Sequence, residues 1–142
     1  MTRGDGRYPV SIKAVLVIAG RIALLKNARD EWELPGGRLE AGEQPPQALL
    51  REIAEELAVE AADPEIVDSW LYDIAGKGPV LIVTYGCRFV GGTARVSDEH
   101  SALGLFAPEQ IAGLIMPEGY KRSIRIWLDR LAERDIGIAG CA

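Results

Sequence analysis

Three glutamates fall on one side of a predicted helix. The segment from Gln47 to Ala58 contains only residues that are compatible with an α-helix. At about 100° per residue, Glu52, Glu55 and Glu56 project from that helix within a single arc. Arg51 is the only cation within helical reach of them. Repulsion between the carboxylates, and their position near the negative end of the helix dipole, cost on the order of 1–2 kcal/mol. The arrangement therefore predicts a bound cation that offsets this cost.

The negative charge of the chain is concentrated around this helix. The 142 residues carry 16 basic and 21 acidic side chains, a net charge of −5. Residues 31–60 contain eight glutamates and two arginines, and no lysine lies between Asn27 and Gly76. A solvated face normally mixes both signs of charge, so a purely surface role accounts poorly for this stretch. A hard divalent cation takes oxygen ligands and requires neither histidine nor cysteine. The pattern therefore predicts a Mg²⁺ site, in which Mn²⁺ substitutes.

A glycine-rich segment precedes these carboxylates. Pro35, Gly36 and Gly37 form a cluster of residues that break regular structure, which predicts a loop. Two adjacent glycines permit positive φ values and a close approach of the backbone to a ligand. We therefore expect the Gly36 carbonyl to turn toward the same cation as the glutamates.

The composition excludes several other classes of protein. The length and the 48% hydrophobic content indicate one globular domain over residues 1–142, and nothing requires an oligomer, so a homodimer is left open. Cys87 and Cys141 are too few for a disulfide framework and are expected as thiols. The single histidine excludes a histidine cluster, and the net negative charge argues against nucleic acid polymers as partners. Neither a membrane span nor a secretory signal is evident, so a cytoplasmic protein with no membrane partner is expected.

Strands and helices alternate irregularly along the chain. Pro45 and Pro46 stand where the first turn of the glutamate helix tolerates proline, and Asp63-Pro64 is expected to end that helical unit. Apolar residues spaced between Tyr120 and Leu131 predict a final helix. The predicted strands are residues 10–19, 22–25, 32–34, 66–74, 80–90 and 103–106, and a short helix is predicted at residues 108–114. A mixed sheet covered by helices on both faces is the expected architecture.

The glycine segment and the glutamate helix together resemble the signature of the Nudix hydrolases. The matching residues are Leu34-Pro35-Gly36-Gly37, five residues, Glu43, seven residues, and then Arg51-Glu52-Ile53-Ala54-Glu55-Glu56-Leu57-Ala58-Val59. Ala58 departs from the pattern, because the family has glycine at this position. That glycine serves the helix terminus, so we expect the departure to bear on where the helix ends and not on the chemistry. The hairpin before the turn, Trp32 and the acidic segment near Glu99 also resemble the family, so the resemblance covers most of the chain.

The resemblance implies a fold and a reaction. The fold would be an α/β/α sandwich with a mixed β-sheet between helices. The reaction would be hydrolysis of a nucleoside diphosphate linked to another moiety, by attack of water at phosphorus with a divalent metal. The implied metal ligands are Gly36, Glu52, Glu55 and Glu56. Arg51 would hold the helix carboxylates in place, and Glu43 would lie in a second shell, orienting Arg51 or a metal-bound water.

The resemblance leaves the general base open between two glutamates. Family members often recruit this glutamate from a loop after the central strands, and Glu99 stands at the matching place. Glu52 is the alternative, because its role as a ligand is the least constant of the three in the family. Together with Glu55 and Arg51, these are the implied catalytic residues.

Several alternatives also remain open for the substrate and for the type of function. The implied substrates are nucleoside triphosphates, including oxidised ones, or nucleotide sugars such as ADP-ribose, and no residue is assigned to binding them. Trp70, Tyr72, Tyr85 and Phe106 are candidates to stack on a base, although each lies in an apolar strand typical of a core. His100, next to Glu99, is either a residue that enters the site or a lone surface histidine, and the second interpretation is favoured. A non-catalytic nucleotide sensor and an acidic surface for protein contacts are the alternative functions, and the complete acidic set favours an enzyme over both.

Overall fold

Seven strands form one β-sheet in the computed structural model of this protein, which describes residues 5–74, 76–98 and 100–141, with side chains up to residue 135. The strands are β1 (Val10–Ile18), β2 (Arg21–Lys26), β3 (Trp32–Glu33), β4 (Gly36–Arg38), β5 (Glu60–Ile74), β6 (Gly78–Gly91) and β7 (Ala102–Phe106). The helices are α1 (Pro45–Leu57) and α2 (Glu118–Cys141), with a 3-10 helix at Pro108–Gly113. Within the described ranges, neither helix has the length and apolar content that crossing a membrane would require.

The sheet is mixed because one of its central pairs is parallel. The strand order is β3-β2-β1-β6-β5, with β4 paired to β1 and β7 paired to β2. β1 and β6 run parallel, and the other pairs are antiparallel. The predicted mixed sheet is therefore confirmed.

β1 and β2 form a hairpin whose strands diverge beyond the turn. Two short strands pair with them in the gap. β1 and β2 pair beside the turn, at residues 17–18 and 21–22. Further along, β3 pairs with the end of β2, and β4 pairs with the start of β1. The backbone N–H of Ala14 also donates to the carbonyl of Pro35 at 2.9 Å. The segment from residue 32 to 38 thus fills the gap between the diverging strands.

The alternation of side chains along the strands gives the sheet two apolar faces, and each face carries one helix. The core on one face combines Ile12, Ala14 and Leu16 of β1 with Leu49, Ile53 and Leu57 of α1. The core on the other face combines Val15 of β1 and Ile82 of β6 with Tyr120, Ile124 and Trp127 of α2. This arrangement confirms the predicted α/β architecture, and it turns the apolar stripe of α1 inward as the spacing requires.

The end of α1 carries the one departure from the family signature. The helix ends at Leu57, and Ala58 adopts the left-handed conformation with φ 59°. Its backbone N–H donates to the carbonyl of Ala54 at 3.0 Å. A left-handed conformation costs a residue with a Cβ atom about 1–2 kcal/mol, whereas glycine adopts it freely. The alanine therefore ends the helix in a conformation that strains its backbone.

Two predictions based on residues that break regular structure are wrong. Pro35-Gly36-Gly37 is not a loop, because Gly36 and Gly37 begin β4. Gly36 has φ 144°, and a side chain there would overlap the backbone carbonyl of Ile12, so glycine serves close strand packing. Asp63-Pro64 does not end a unit either, because it lies inside β5, which starts at Glu60. The register shifts between Ala62 and Glu65, and this bulge accommodates a proline without an N–H.

The short predicted helix at residues 108–114 is a 3-10 helix over Pro108–Gly113 and not an α-helix. Cys87 is a free thiol in the core, as predicted, and burial raises its pKa to about 12. The side chain of Cys141 lies outside the described residues.

Candidate active site

The acidic face of α1 forms one side of a cleft of about 610 Å³. The described residues that line it are Glu33, Gly36, Gly37, Arg38, Glu40, Arg51, Glu52, Glu55, Glu56, Ser97, Asp98 and His100. Six of these side chains are carboxylic acids and two are arginines, so the cleft is strongly acidic. A polyanionic ligand can approach such a surface only together with cations.

Arg51 neutralises the more exposed part of the acidic face. Its Nε and Nη2 atoms each donate a 2.9 Å hydrogen bond to the carboxylate of Glu43. Its Nη1 lies 3.3 Å from Oε1 of Glu52 and 3.2 Å from Oε2 of Glu55. Hydrogen bonding to Glu43 raises the pKa of Arg51 above its already high ordinary value. One permanently charged guanidinium thus holds three carboxylates, and its planar fork suits the two-point contact with Glu43.

Glu56 is the buried carboxylate of the cleft. It is only 5% exposed, and its Oε2 accepts a 3.2 Å hydrogen bond from the backbone N–H of Gly36. Burial raises the pKa of Glu56 to about 7, and the negative charge of Glu52 adds to the rise, although Lys13 opposes it. A carboxylate in this environment is costly to ionise unless a further cation joins it.

A second pair of titratable groups lies in the same cleft. Nε2 of His100, in the turn before β7, lies 3.1 Å from Oε1 of Glu33 on β3. Burial alone would raise the pKa of Glu33, but the hydrogen bond with His100 and the charge of Lys13 prevail and lower that pKa to about 2. The same hydrogen bond raises the pKa of His100. Glu33 is therefore ionised and acts as a fixed acceptor for the imidazole.

The turn that carries His100 is tied to the end of α1. The backbone N–H of Arg95 donates to the carbonyl of Leu57 at 2.9 Å, and that of Ser97 donates to the carbonyl of Glu56 at 3.1 Å. These bonds satisfy carbonyls that a helix leaves unpaired in its last turn. The N–H of His100 then donates to the carbonyl of Ser97 at 3.4 Å, which closes the turn. The end of α1 thus positions this turn beside Glu56.

Gly37 makes room for one of the helix carboxylates. A Cβ atom at this position would stand 2.8 Å from the carboxyl carbon of Glu52. The side chain of Glu52 is correspondingly only 16% exposed. The adjacent glycines therefore serve two contacts, Gly36 with β1 and Gly37 with α1.

The structure brings most of the predicted site residues together. Gly36, Arg51, Glu52, Glu55 and Glu56 all line the cleft. Glu43 does not line the cleft and accepts a hydrogen bond from Arg51. The backbone N–H of Gly36 donates a hydrogen bond to Glu56. Glu99 lies outside the described residues, while its neighbours Asp98 and His100 line the cleft.

Sequence reasoning gave no site role to Glu33 or Lys13 and did not favour one for His100. The favoured interpretation of His100 as a surface residue is wrong, because its side chain is only 12% exposed, against Glu33, and the alternative that it enters the site agrees with the structure. Lys13 is 8% exposed and acts electrostatically on both Glu33 and Glu56. Lys13 is the one charged residue in the apolar run of β1, and that isolation is the signal that could have found it.

The four aromatic candidates for base stacking do not line the cleft. Trp70 packs 5.3 Å from Tyr72, measured between ring centroids, and Phe106 packs 4.8 Å from Trp32. Tyr85 is buried in the core. The interpretation of these residues as core is the one that the structure supports.

Comparison with known families identifies the domain. The family model of the NUDIX domain matches residues 3–130 of this chain. The chain belongs to the Nudix family. The resemblance seen in the sequence is therefore confirmed, and the match extends well beyond the signature, from before β1 into α2.

Two curated relatives illustrate the range of the Nudix match. A Mycobacterium tuberculosis protein provisionally named 8-oxo-dGTP diphosphatase 2 is 41% identical over 78 residues, which are 55% of this chain and 55% of that protein. The CTP pyrophosphohydrolase of Escherichia coli is 32% identical over 104 residues, which are 70% of this chain and 76% of that protein. The match thus spans only about half the length of the first relative.

A solved Nudix structure supports the fold independently. The crystal structure of the MutT NUDIX hydrolase from Burkholderia pseudomallei superposes with a TM-score of 0.73 at 27% identity, covering 84% of this chain and 98% of that one. The mixed sheet between helices is therefore the family fold.

Proposed function

We propose that this Nudix protein hydrolyses a diphosphate bond in a nucleoside diphosphate linked to another moiety, in a reaction that depends on a divalent metal. The observation that carries the proposal is the buried Glu56, which shares one acidic cleft with Glu52 and Glu55. Membership of the Nudix family supports the same class of reaction. A cleft with this charge suits an anionic substrate only when cations accompany it.

The donor set fits a hard divalent cation. Carboxylate oxygens are the ligands that Mg²⁺ and Mn²⁺ prefer, and a nearby cation would favour the ionised form of Glu56. Among the residues that the structure describes, no three His, Cys, Asp or Glu side chains already surround a common point. The reason is that Arg51 holds Glu52 and Glu55, while the N–H of Gly36 holds Glu56. Metal binding therefore requires these carboxylates to exchange present contacts for the cation.

Four residues would hold the metal, namely Gly36, Glu52, Glu55 and Glu56. We propose Mg²⁺ as the natural ion, with Mn²⁺ able to replace it. When bound, such an ion polarises a phosphoryl oxygen and neutralises the charge that develops on it.

The other cleft residues would orient the reacting groups. Arg51 limits the orientations of Glu52 and Glu55, and Glu43 fixes Arg51 from behind. Arg38 is the second cation that lines the cleft, and it would attract the phosphates of the substrate. The resemblance assigns the proton of the attacking water to Glu99 or Glu52.

We place nucleoside triphosphates, including oxidised ones, first among the substrates. The names of the two curated relatives, an 8-oxo-dGTP diphosphatase and a CTP pyrophosphohydrolase, both point to triphosphates. Nucleotide sugars such as ADP-ribose are the second class. The products distinguish them, because a triphosphate yields a nucleoside monophosphate and pyrophosphate or a diphosphate and phosphate, whereas ADP-ribose yields two phosphomonoesters.

A panel of nucleotides tests the proposal. Each is incubated with the protein and Mg²⁺, and the products are separated by ion-exchange chromatography. We expect hydrolysis of at least one triphosphate, abolished by a chelator and unchanged in Glu60→Gln, whose exposed carboxyl lies outside the cleft. Binding of nucleotides without cleavage of any would instead support the non-catalytic sensor.

A further inference from the structure

The single histidine of the chain lines the cleft, and one of its ring nitrogens has no partner among the described residues. Nε2 of His100 is paired with Glu33, and a carboxylate can only accept, so Nε2 carries the hydrogen when the imidazole is neutral. Nδ1 then carries a lone pair. This atom is buried and has no hydrogen-bond partner among the described residues. The fixed imidazole therefore holds a basic nitrogen that the fold itself does not use.

We propose that His100 is the general base of the proposed hydrolysis, taking a proton from the attacking water at Nδ1, and that Glu33 is its positioning residue. The assignment rests on the proposed function. It differs from the implied bases Glu99 and Glu52. Glu52 is engaged by Arg51, whereas the imidazole of His100 is held from one side and unpaired on the other.

The turn of His100 provides a place for the water. Ser97 Oγ, in the same turn, is also buried without a partner among the described residues, and both residues line the cleft. A buried polar atom without a partner is destabilising, so entry of a water at this turn would be favourable. A buried water needs at least two polar partners, and Ser97 Oγ and His100 Nδ1 are the two atoms of this turn that would be open to one. Hydrogen bonds of this kind often tighten only when substrate binds.

The surrounding charges favour the protonated product of the step. The charged groups that act on the imidazole are Glu33 on β3, Glu56 on α1 and Lys13 on β1. The hydrogen bond to Glu33 contributes most to stabilising an imidazolium, whereas burial and Lys13 oppose it. The balance raises the pKa of His100, which makes its imidazole a stronger base than a free histidine.

The proposed step conserves atoms and charge. The water oxygen forms a bond to phosphorus while the bond from phosphorus to the bridging oxygen of the diphosphate breaks, and its electron pair leaves with the departing phosphate. One proton of the water passes to Nδ1 of His100. The imidazolium, hydrogen-bonded to Glu33 through Nε2, returns that proton to solvent after the products leave.

Magnetic resonance of the free protein gives a test that does not depend on activity. Because His100 is the only histidine in the sequence, its ring nitrogens are assigned directly in ¹⁵N-labelled protein without a histidine tag. We expect the neutral ring to carry its hydrogen on Nε2. A neutral ring protonated at Nδ1 would overturn the proposal, since that atom would have no lone pair for the water.

Kinetics of two substitutions test the catalytic role. His100→Ala should lower kcat on the order of 10²–10⁴-fold with little change in KM, and added imidazole should restore part of the rate. His100→Gln keeps an amide that can bond to Glu33 but has no basic nitrogen, so it should lose as much activity and gain nothing from imidazole. Glu33→Gln should shift the acidic limb of the pH profile to lower pH, because the ionised acceptor that raises the pKa of His100 is gone.

The outcomes separate this assignment from the proposed function. If the wild-type protein hydrolyses a nucleotide and both His100 variants keep its kcat within about tenfold, the assignment alone is wrong. A loss that imidazole does not restore, in a His100→Ala protein that unfolds at the wild-type temperature, also overturns it. If the wild-type protein hydrolyses none of the nucleotides with Mg²⁺, the proposed function fails and the assignment fails with it.

Discussion

Two parts of the acidic side of the cleft, both carried by α1, are stabilised in opposite ways. On one, which we call the Arg51 wall, a guanidinium contacts Glu43, Glu52 and Glu55, and the side chain of Glu55 is 60% exposed. On the other, the Glu56 wall, Glu56 is 5% exposed and bonded to a backbone N–H of Gly36. Solvent and Arg51 satisfy the first set of charges, whereas burial leaves the second with a pKa near 7.

The difference shows where a bound cation would matter most. Surface ion pairs such as that of Glu55 contribute only about 0–1 kcal/mol, so removing one changes the fold little. An ionised buried carboxylate needs compensation within the protein or from a ligand. We therefore expect metal binding to depend chiefly on the Glu56 wall, with the Arg51 wall serving to orient its own carboxylates.

The largest expected effect is on turnover. Glu56→Gln keeps an oxygen that can accept from Gly36 but removes the charge, so it should lower kcat by roughly 100-fold or more at saturating Mg²⁺. Steady-state hydrolysis of the best nucleotide of the panel measures this, with Glu60→Gln as the control outside the cleft. A Glu56→Gln enzyme with near-normal turnover would show that this carboxylate does not bind the metal.

The next effect tests the helix that carries both walls. Ile53 of α1 is fully buried in the core between the helix and the sheet. Ile53→Ala should lower the free energy of unfolding by about 2–5 kcal/mol, because it leaves a cavity in the core. Urea unfolding followed by circular dichroism measures the change. A loss well below this range would mean that the helix is less firmly packed than its burial indicates.

The stability of the metal-free protein should depend on pH through the Glu56 wall. The pKa of Glu56 is raised from 4.5 to about 7 in the folded state. Its contribution to stability is therefore fully present below pH about 4.5 and is lost as pH rises through about 7, a change on the order of 3 kcal/mol. Glu56→Gln should abolish this loss. Above neutral pH the variant should therefore have a higher free energy of unfolding than the wild type.

Glu55→Gln is the matched substitution on the Arg51 wall. Because Glu55 is largely exposed, its removal should leave the pH dependence of unfolding as in the wild type. Urea midpoints from pH 4 to 9 in a chelator compare the three proteins. If the urea midpoints of the wild type and of Glu56→Gln changed equally with pH, that result would contradict the contrast between the walls.

The smallest expected effect lies at the end of α1. Ala58→Gly should raise the free energy of unfolding by about 1 kcal/mol, because glycine accepts the left-handed conformation without strain. Turnover should change little, since Ala58 does not line the cleft. Thermal unfolding measures the gain, and Ala54→Gly, inside the helix, should show the opposite sign. A destabilised Ala58→Gly protein would contradict the strain that we assign to this residue.

The acidic set on α1, Glu56 included, could be predicted from the sequence, whereas the pair of Glu33 and His100 could not. Arg51, Glu52 and Glu55 lie on one helix, so their spacing alone brings them together. Glu33 and His100 are 67 residues apart and meet only because β7 pairs with β2 and the preceding turn is tied to α1. No local pattern contains that contact.

The fold shows the same division between features of a single strand or helix, which the sequence predicts, and contacts between distant residues, which it does not. Apolar runs predicted β1, β2 and β6, and the spacing on α1 predicted its buried stripe. The pairing of Gly36 with Lys13 was missed, because a glycine turn and a glycine strand packed against a neighbour look alike in sequence. The start of β5 was missed for a related reason, since Asp63-Pro64 is tolerated only at the bulge that β6 accommodates.

Calorimetric titration with Mn²⁺ tests the central claim most directly. The claim is that the glutamates of α1 bind a divalent cation and that Glu56 dominates the binding. We expect saturable binding to the wild-type protein and to Glu60→Gln, at least about tenfold weaker binding to Glu56→Gln, and proton release near pH 7 as Glu56 ionises. An absence of binding to the wild type, or equal affinity in Glu56→Gln, would contradict the account.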